Sequence, residues 1–146
     1  MHTTSNQTKS NAARPSRLLV RDFMTAMPHT IGRKQTLAVA QEKLRTGGVR
    51  HLPVLEGGRL EGILSQRDAY FVETLSGVTP ENVLVEEAMS IDVYTVTPET
   101  PLLEVATAMA DHKYGCAVVM ERHHVVGIFT TVDALRALVA SCALPR

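Results

Sequence analysis

The stretch "GILSQRDA", Gly62 to Ala69, is followed 65 residues later by "GIFTTVDA", Gly127 to Ala134. Both run glycine, apolar pair, hydroxyl, two variable residues, aspartate, alanine. Working outward, the same offset of 65 aligns Val20–Tyr70 with Val85–Leu135 without a gap. Ten of these 51 positions are identical: Val20/Val85, Met24/Met89, Thr30/Thr95, Leu37/Leu102, Val54/Val119, Glu56/Glu121, Gly62/Gly127, Ile63/Ile128, Asp68/Asp133 and Ala69/Ala134. Conservative pairs such as Ile31/Val96, Leu44/Met109 and Ser65/Thr130 fill the intervals. The chain is one unit written twice, and that fact governs the reading of every local element.

Each copy carries the same signals in the same order. "PHTIG" and "VYTVTP" are β-branched segments that predict short strands. Thr36 to Gly48 places Leu37, Ala40 and Leu44 at helical spacing, with a threonine to cap the start and a glycine pair to end it. Its counterpart opens on Pro101, which suits a first helical turn. Two strands follow in each copy, "HLPVL" and "LEGIL", then "CAVVM" and "VVGIFT", joined by "EGGR" and "ERHH" as hairpin turns. "SQRDAYFVETL" and "TVDALRALVA" return to a helical period.

The expected fold is therefore α/β, two βαββα repeats packed with pseudo-two-fold symmetry. A three-stranded sheet covered on one face is marginal alone, so the copies must share their apolar surfaces. The expected division is a disordered tail over 1–16, repeat 1 over 17–75, a turn-rich connector over 76–84, repeat 2 over 85–141 and a C-terminal tail over 142–146.

Composition narrows the function. Fifteen basic residues balance fifteen acidic ones, which leaves no net field to hold a polyanion, and nucleic acid is not an expected partner. The longest apolar stretch, Leu135–Leu144, is broken by Arg136 and too short to cross a bilayer. The N-terminus has no apolar core of a secretory signal, and Cys116 and Cys142 match neither a metal spacing nor a disulfide framework. A cytoplasmic address is expected, with no membrane association.

Chemically, the opening motif has two readings. Ser65 and Thr130 stand at helix N-caps with Asp68 and Asp133 three residues on, the pattern of a capping box that satisfies orphan amides. The same geometry also forms a nucleotide cradle. A helix N-terminus suits phosphate, a carboxylate has two acceptors for the vicinal diol of a ribose, and glycine before it permits close approach.

Residues 20–135 resemble a tandem pair of CBS domains, the regulatory Bateman module. The resemblance rests on "VRDFM" and "VEEAM" heading the two copies, on "GVRHLPVL", and on the paired "GILSQRDA" and "GIFTTVDA". It implies adenosine-ligand binding in clefts between the copies, with AMP, ADP, ATP or S-adenosylmethionine as candidates. Asp68 and Asp133 would hold ribose hydroxyls, Ser65 and Thr130 would approach phosphate, and Thr30, Ile31, Thr95 and Val96 would line an adenine pocket. Arg50 would reach phosphate, and His51, Pro53, Arg67 and Cys116 complete the expected ligand-binding set. Because Gly115 and Val118 stand where the first copy has Arg50 and Pro53, unequal sites are expected, the better one around Asp68.

Other residues carry bland readings. His123 and His124 fall in a hairpin turn, His112 and Cys116 lack further zinc ligands, and Cys116 in "GCAVV" reads as a buried inert thiol. No catalytic motif accompanies Ser65, so no enzyme activity is expected and no cofactor is required. The expected function is regulatory: an adenosine-nucleotide sensor acting on an unknown partner protein or through its own homodimerisation, to which the "DALRALVA" face contributes. The alternative is a ligand-free interaction or oligomerisation module whose Ser/Asp pairs only cap helices.

Overall fold

The computed structural model describes residues 17–143. The expected tail over 1–16 and the last three residues, 144–146, lie outside them. The repeat is present in three dimensions. In the first copy, β2 (Ile31–Gly32), α1 (Leu37–Gly47), β3 (His51–Glu56), β4 (Arg59–Ser65) and α2 (Gln66–Glu73) follow in order. In the second, β5 (Thr95–Val96), α4 (Leu102–His112), β6 (Cys116–Glu121), β7 (His124–Thr130) and α5 (Thr131–Ala143) repeat them. The short α3 (Val85–Ala88) lies between, after a 3-10 turn at Pro80–Asn82 in the expected connector.

In both copies the first strand is parallel to the second and the second antiparallel to the third. The registers keep the offset of 65: His51 faces Ser65 as Cys116 faces Thr130, and both ladders are irregular after Val54 and Val119. Local chemistry explains the helix ends. The Thr36 hydroxyl accepts the Val39 N–H at 3.3 Å, and Gly48, at φ 62°, closes α1 in the left-handed region. The expected strands "PHTIG" and "VYTVTP" shrink to two residues each, because only Ile31–Gly32 and Thr95–Val96 find a partner strand.

What the repeat does not show by itself is an exchange of leading segments. Thr25–Ala26 form β1, which pairs with β7 of the other copy and extends that sheet to the order β1-β7-β6-β5. At the equivalent place Ser90 bridges to Ile63 of β4, with reciprocal N–H to carbonyl bonds of 2.9 Å each way. Val20, fully buried, joins the core built on Val105, Val119 and Phe129, whereas Val83 and Val85 join the core built on Leu37, Leu52, Val54 and Leu64. The acid inside each head motif caps it: Asp22 accepts the Leu19 N–H at 2.8 Å, and Glu87 accepts the Leu84 N–H at 2.9 Å. Division by sequence copy at 76–84 thus differs from division by core, because residues 83–89 pack on the first sheet.

Gly62 and Gly127 make the crossing possible. A Cβ on Gly62 would lie 2.7 Å from both the Met89 sulfur and the Ser90 carbonyl oxygen; on Gly127 it would lie 2.5 Å from the Met24 sulfur and 3.1 Å from the Thr25 carbonyl oxygen. The close approach expected here for a ligand is therefore taken by the chain itself. Gly62→Ala should cost roughly 1 to 3 kcal/mol in urea unfolding, the range for overpacking, and more than Gly127→Ala, because a backbone oxygen yields less than a methionine side chain. An unchanged unfolding midpoint for Gly62→Ala would contradict this packing.

Candidate functional site

The crossing leaves two clefts, each built from both copies. One, of about 560 Å³, is lined by Arg50, His51, Ser65, Arg67 and Asp68 from the first copy and by Asp92–Tyr94 and Lys113–Cys116 from the second. The other, of about 550 Å³, is lined by Thr130 and Asp133 from the second copy and by Met27–His29 and Gly48–His51 from the first. Shifting the lining residues by 65 maps most of one cleft onto the other; the exceptions are Arg50 and His51, which reach both, Gly115 and Cys116, which reach only the first, and Ala26 and Arg136, whose counterparts Ile91 and Phe71 do not line the first. Both volumes fall within the roughly 300 to 1,000 Å³ that small-molecule sites occupy.

Of the expected residues, Arg50, His51, Ser65, Arg67, Asp68 and Cys116 meet in the first cleft, and Thr130 and Asp133 in the second. Thr30, Ile31, Thr95, Val96 and Pro53 line neither. Ile31 and Val96 point into the cores, Pro53 is buried on the face of β3 opposite the core residues Leu52 and Val54, and the Thr30 carbonyl accepts the Lys43 ammonium at 2.7 Å. Their expected place at the cleft is taken by the residues just before β2 and β5, Met27–His29 and Asp92–Tyr94. Arg50 does line the cleft of Asp68, and that of Asp133 as well, but the placing of Gly115 beside Asp133 needs correction. Gly115 lies in the Asp68 cleft, where a Cβ would sit 2.8 Å from the His51 Nε2, so glycine there makes room for the imidazole.

The two aspartates differ in what holds them. Asp133, 4% exposed, is locked into its own helix start: its Oδ2 accepts the Thr130 N–H at 2.9 Å and the Thr130 hydroxyl at 3.2 Å, and its N–H donates to that hydroxyl at 3.4 Å. In the first copy only half of this box forms, with the Ser65 hydroxyl accepting the Asp68 N–H at 3.0 Å. No donor among the described residues bonds the Asp68 carboxylate, which is half-buried at the cleft wall. Its acceptor capacity is free, whereas the Asp133 Oδ2 already accepts two bonds and its Oδ1 faces Arg136 at 3.8 Å.

Aromatic side chains are also unequal. Tyr94 and Tyr114 stack at 5.0 Å on the wall of the Asp68 cleft, and His112 stacks on Tyr114 at 5.1 Å; His29 and Val49 stand at the aligned places in the other cleft. Burial pushes the Cys116 thiol up to about 12, which keeps it protonated and unreactive at neutral pH.

The CBS domain family model matches residues 20–72 and again 85–140. The chain belongs to the CBS domain family. Hypoxic response protein 1 of Mycobacterium tuberculosis is 29% identical over 119 residues, covering 81% of this chain and 83% of that protein. Among solved structures, a chain described as the acetoin utilization protein AcuB from Vibrio cholerae aligns with a TM-score of 0.79 at 33% identity, covering 87% of this chain and 94% of the other. The CBS domain pair of protein MJ0100, solved in complex with 5′-methylthioadenosine and S-adenosyl-L-methionine, aligns at 0.75 with 26% identity, covering 83% and 99%. Among the described residues no helix is long and apolar enough to cross a membrane.

Two outcomes follow from the site's electrostatics. His51 is held below the ordinary histidine value mainly by burial, with Arg50 lowering it further and Asp68 opposing both. The unfolded chain therefore binds the proton more readily, so the contribution of His51 to stability is present above about pH 6.5 and is lost as pH falls through that value and below. Replacing His51 by Gln should flatten the fall in urea-unfolding stability between pH 7 and 5.5, and an unaltered slope would contradict the assignment. Asp133→Ala should lose about 1 to 2 kcal/mol of stability as its cap is removed, whereas Asp68→Ala should lose less; equal losses would mean that both carboxylates serve their helices alike.

Proposed function

We propose that this CBS pair is a regulatory sensor of an adenosine-containing ligand, bound chiefly in the Asp68 cleft. The observation that carries the reading is the unbonded Asp68 carboxylate beside a capped helix N-terminus, in a cleft of about 560 Å³ bearing a tyrosine stack. A ribose diol matches the two carboxylate oxygens, an adenine ring matches the faces of Tyr94 and Tyr114, and a phosphate matches Arg50 and Arg67. The adenosine compounds bound by the MJ0100 pair support the ligand class, and AMP, ADP, ATP and S-adenosylmethionine are the candidates. The Asp133 cleft is the weaker site, because its carboxylate must leave a helix cap before it can accept a ligand.

Occupancy acts by favouring one arrangement of the chain or its assembly over another. The surface available for that output is helical: Phe71 on α2 is 66% exposed and Leu135 on α5 is 61% exposed, beside Tyr70, Leu138 and Val139. Such faces fit a homodimer or a regulated partner protein. They equally favour the second reading, an interaction module without a ligand, in which the Ser65 cap is purely structural. Isothermal titration with AMP, ATP, adenosine and S-adenosylmethionine separates the two. The sensor binds at least one of them, and Asp68→Ala weakens it by about 1.5 to 3 kcal/mol, roughly tenfold to over a hundredfold. Full affinity in that variant would remove Asp68 from the site, and no binding by the wild type would leave the interaction module.

A further inference from the structure

Lys113 occupies a backbone position that lysine does not favour. It follows α4 at φ 60° and ψ 37°, in the left-handed region, and its N–H donates to the Met109 carbonyl. The aligned residue after α1 is Gly48, at φ 62° and ψ 32°. Glycine reaches this region without steric cost, whereas a side chain crowds the adjoining carbonyl. Among the described residues the Lys113 ammonium forms no salt bridge or hydrogen bond. Met27, Arg122 and His123 share this backbone region, but of these only Met27 lines a cleft, and Lys113 alone brings a charge to one: backbone strain clusters at functional sites, and Lys113 lines the Asp68 cleft.

The charges of the two clefts differ at this point. Lys113 and Arg67 in the Asp68 cleft correspond to Gly48 and Val132 in the other, Arg50 reaches both, and Arg136 lines the Asp133 cleft alone, where it stands 3.8 Å from the Asp133 Oδ1. The Asp68 cleft thus gathers three cations, one of them contributed by the opposite copy, against the carboxylates of Asp68 and Asp92. With Asp68 assigned to the ribose, the remaining field favours an anionic group.

We propose that Lys113 is a specificity-determining residue of the Asp68 cleft, binding the phosphate of a 5′-phosphorylated nucleoside, and that this role explains lysine in place of glycine at a left-handed helix cap. The inference rests on the nucleotide reading above and narrows it: AMP or a longer phosphate ester is preferred over adenosine, and over S-adenosylmethionine, whose sulfonium adds a positive charge near the cations.

The experiment is titration of the full chain with AMP and adenosine, in the wild type and in Lys113→Gly, Lys113→Gln and Lys113→Arg, together with thermal unfolding. Lys113→Gly should weaken AMP roughly tenfold, as for loss of a charge-assisted bond, leave adenosine unchanged, and raise Tm by roughly 3 °C as the backbone strain is relieved. Lys113→Gln should lose AMP affinity alike without depending on the backbone change, and Lys113→Arg should retain the preference for AMP. A ratio of AMP to adenosine affinity unchanged in both Lys113→Gly and Lys113→Gln overturns the role of Lys113 while leaving the adenosine site intact. A wild type that binds neither compound overturns the nucleotide reading itself and the role of Lys113 with it.

Discussion

The pairing of each leading segment with the other copy's sheet is the constraint on which the rest depends. Two hydrogen bonds join Ile63 to Ser90, and Thr25–Ala26 run antiparallel beside Ile128 and Gly127. These contacts are few, but they lie over glycines that admit no side chain, and they fix where the next residues go. Asp92–Tyr94 are delivered above Asp68, and Met27–His29 above Asp133. Neither cleft has two walls unless the crossing is made. The first core gains an additional tie, since Arg33 bonds Glu86 of α3 at 2.8 Å and Glu56 and Glu61 of the hairpin at 3.0 Å each. Pro98 stands at the aligned place in the second copy, so that clamp is single.

Much of this architecture is legible in the sequence. The offset of 65, the helix over Leu37–Gly47 with its Thr36 cap, the paired hairpins and the caps at Ser65 and Thr130 all follow from local pattern, because their partners lie within a few residues. The crossing does not follow. Self-alignment shows which residues are equivalent, not which are in contact, and a two-residue strand such as Thr25–Ala26 carries no period of its own. The same limit sets Thr30, Ile31, Thr95 and Val96 at the clefts, whereas they lie one or two residues beyond the segments that line them, with Ile31 and Val96 turned into the cores. Arg50 and Gly115 are set against each other by alignment, yet they come together across the Asp68 cleft. The signal for that lay in the heads: "VRDFM" and "VEEAM" each end in the methionine that packs on a glycine of the opposite copy.

Duplication starts with two equal clefts, and divergence at a few positions has made them unequal. In the second copy Thr130 and Asp133 complete a reciprocal cap, which stabilises α5, the longer of the two terminal helices, and commits one carboxylate oxygen to it. In the first copy Ser65 caps alone, and Asp68 is left at the wall beside His51 and the Tyr94–Tyr114 stack. One motif thus closes a reciprocal cap in one copy and leaves its carboxylate unbonded in the other. A helix cap and a ribose site need the same groups, and what decides between them is whether the acid turns back to its own amide.

The most direct measurement of that distinction is a crystal structure of the chain grown with AMP. The account predicts nucleotide in the Asp68 cleft, its ribose hydroxyls within hydrogen-bond distance of the Asp68 carboxylate, with the Thr130–Asp133 cap unbroken. Nucleotide held only at Asp133 with that cap opened, or both clefts without nucleotide at saturating AMP, would contradict it.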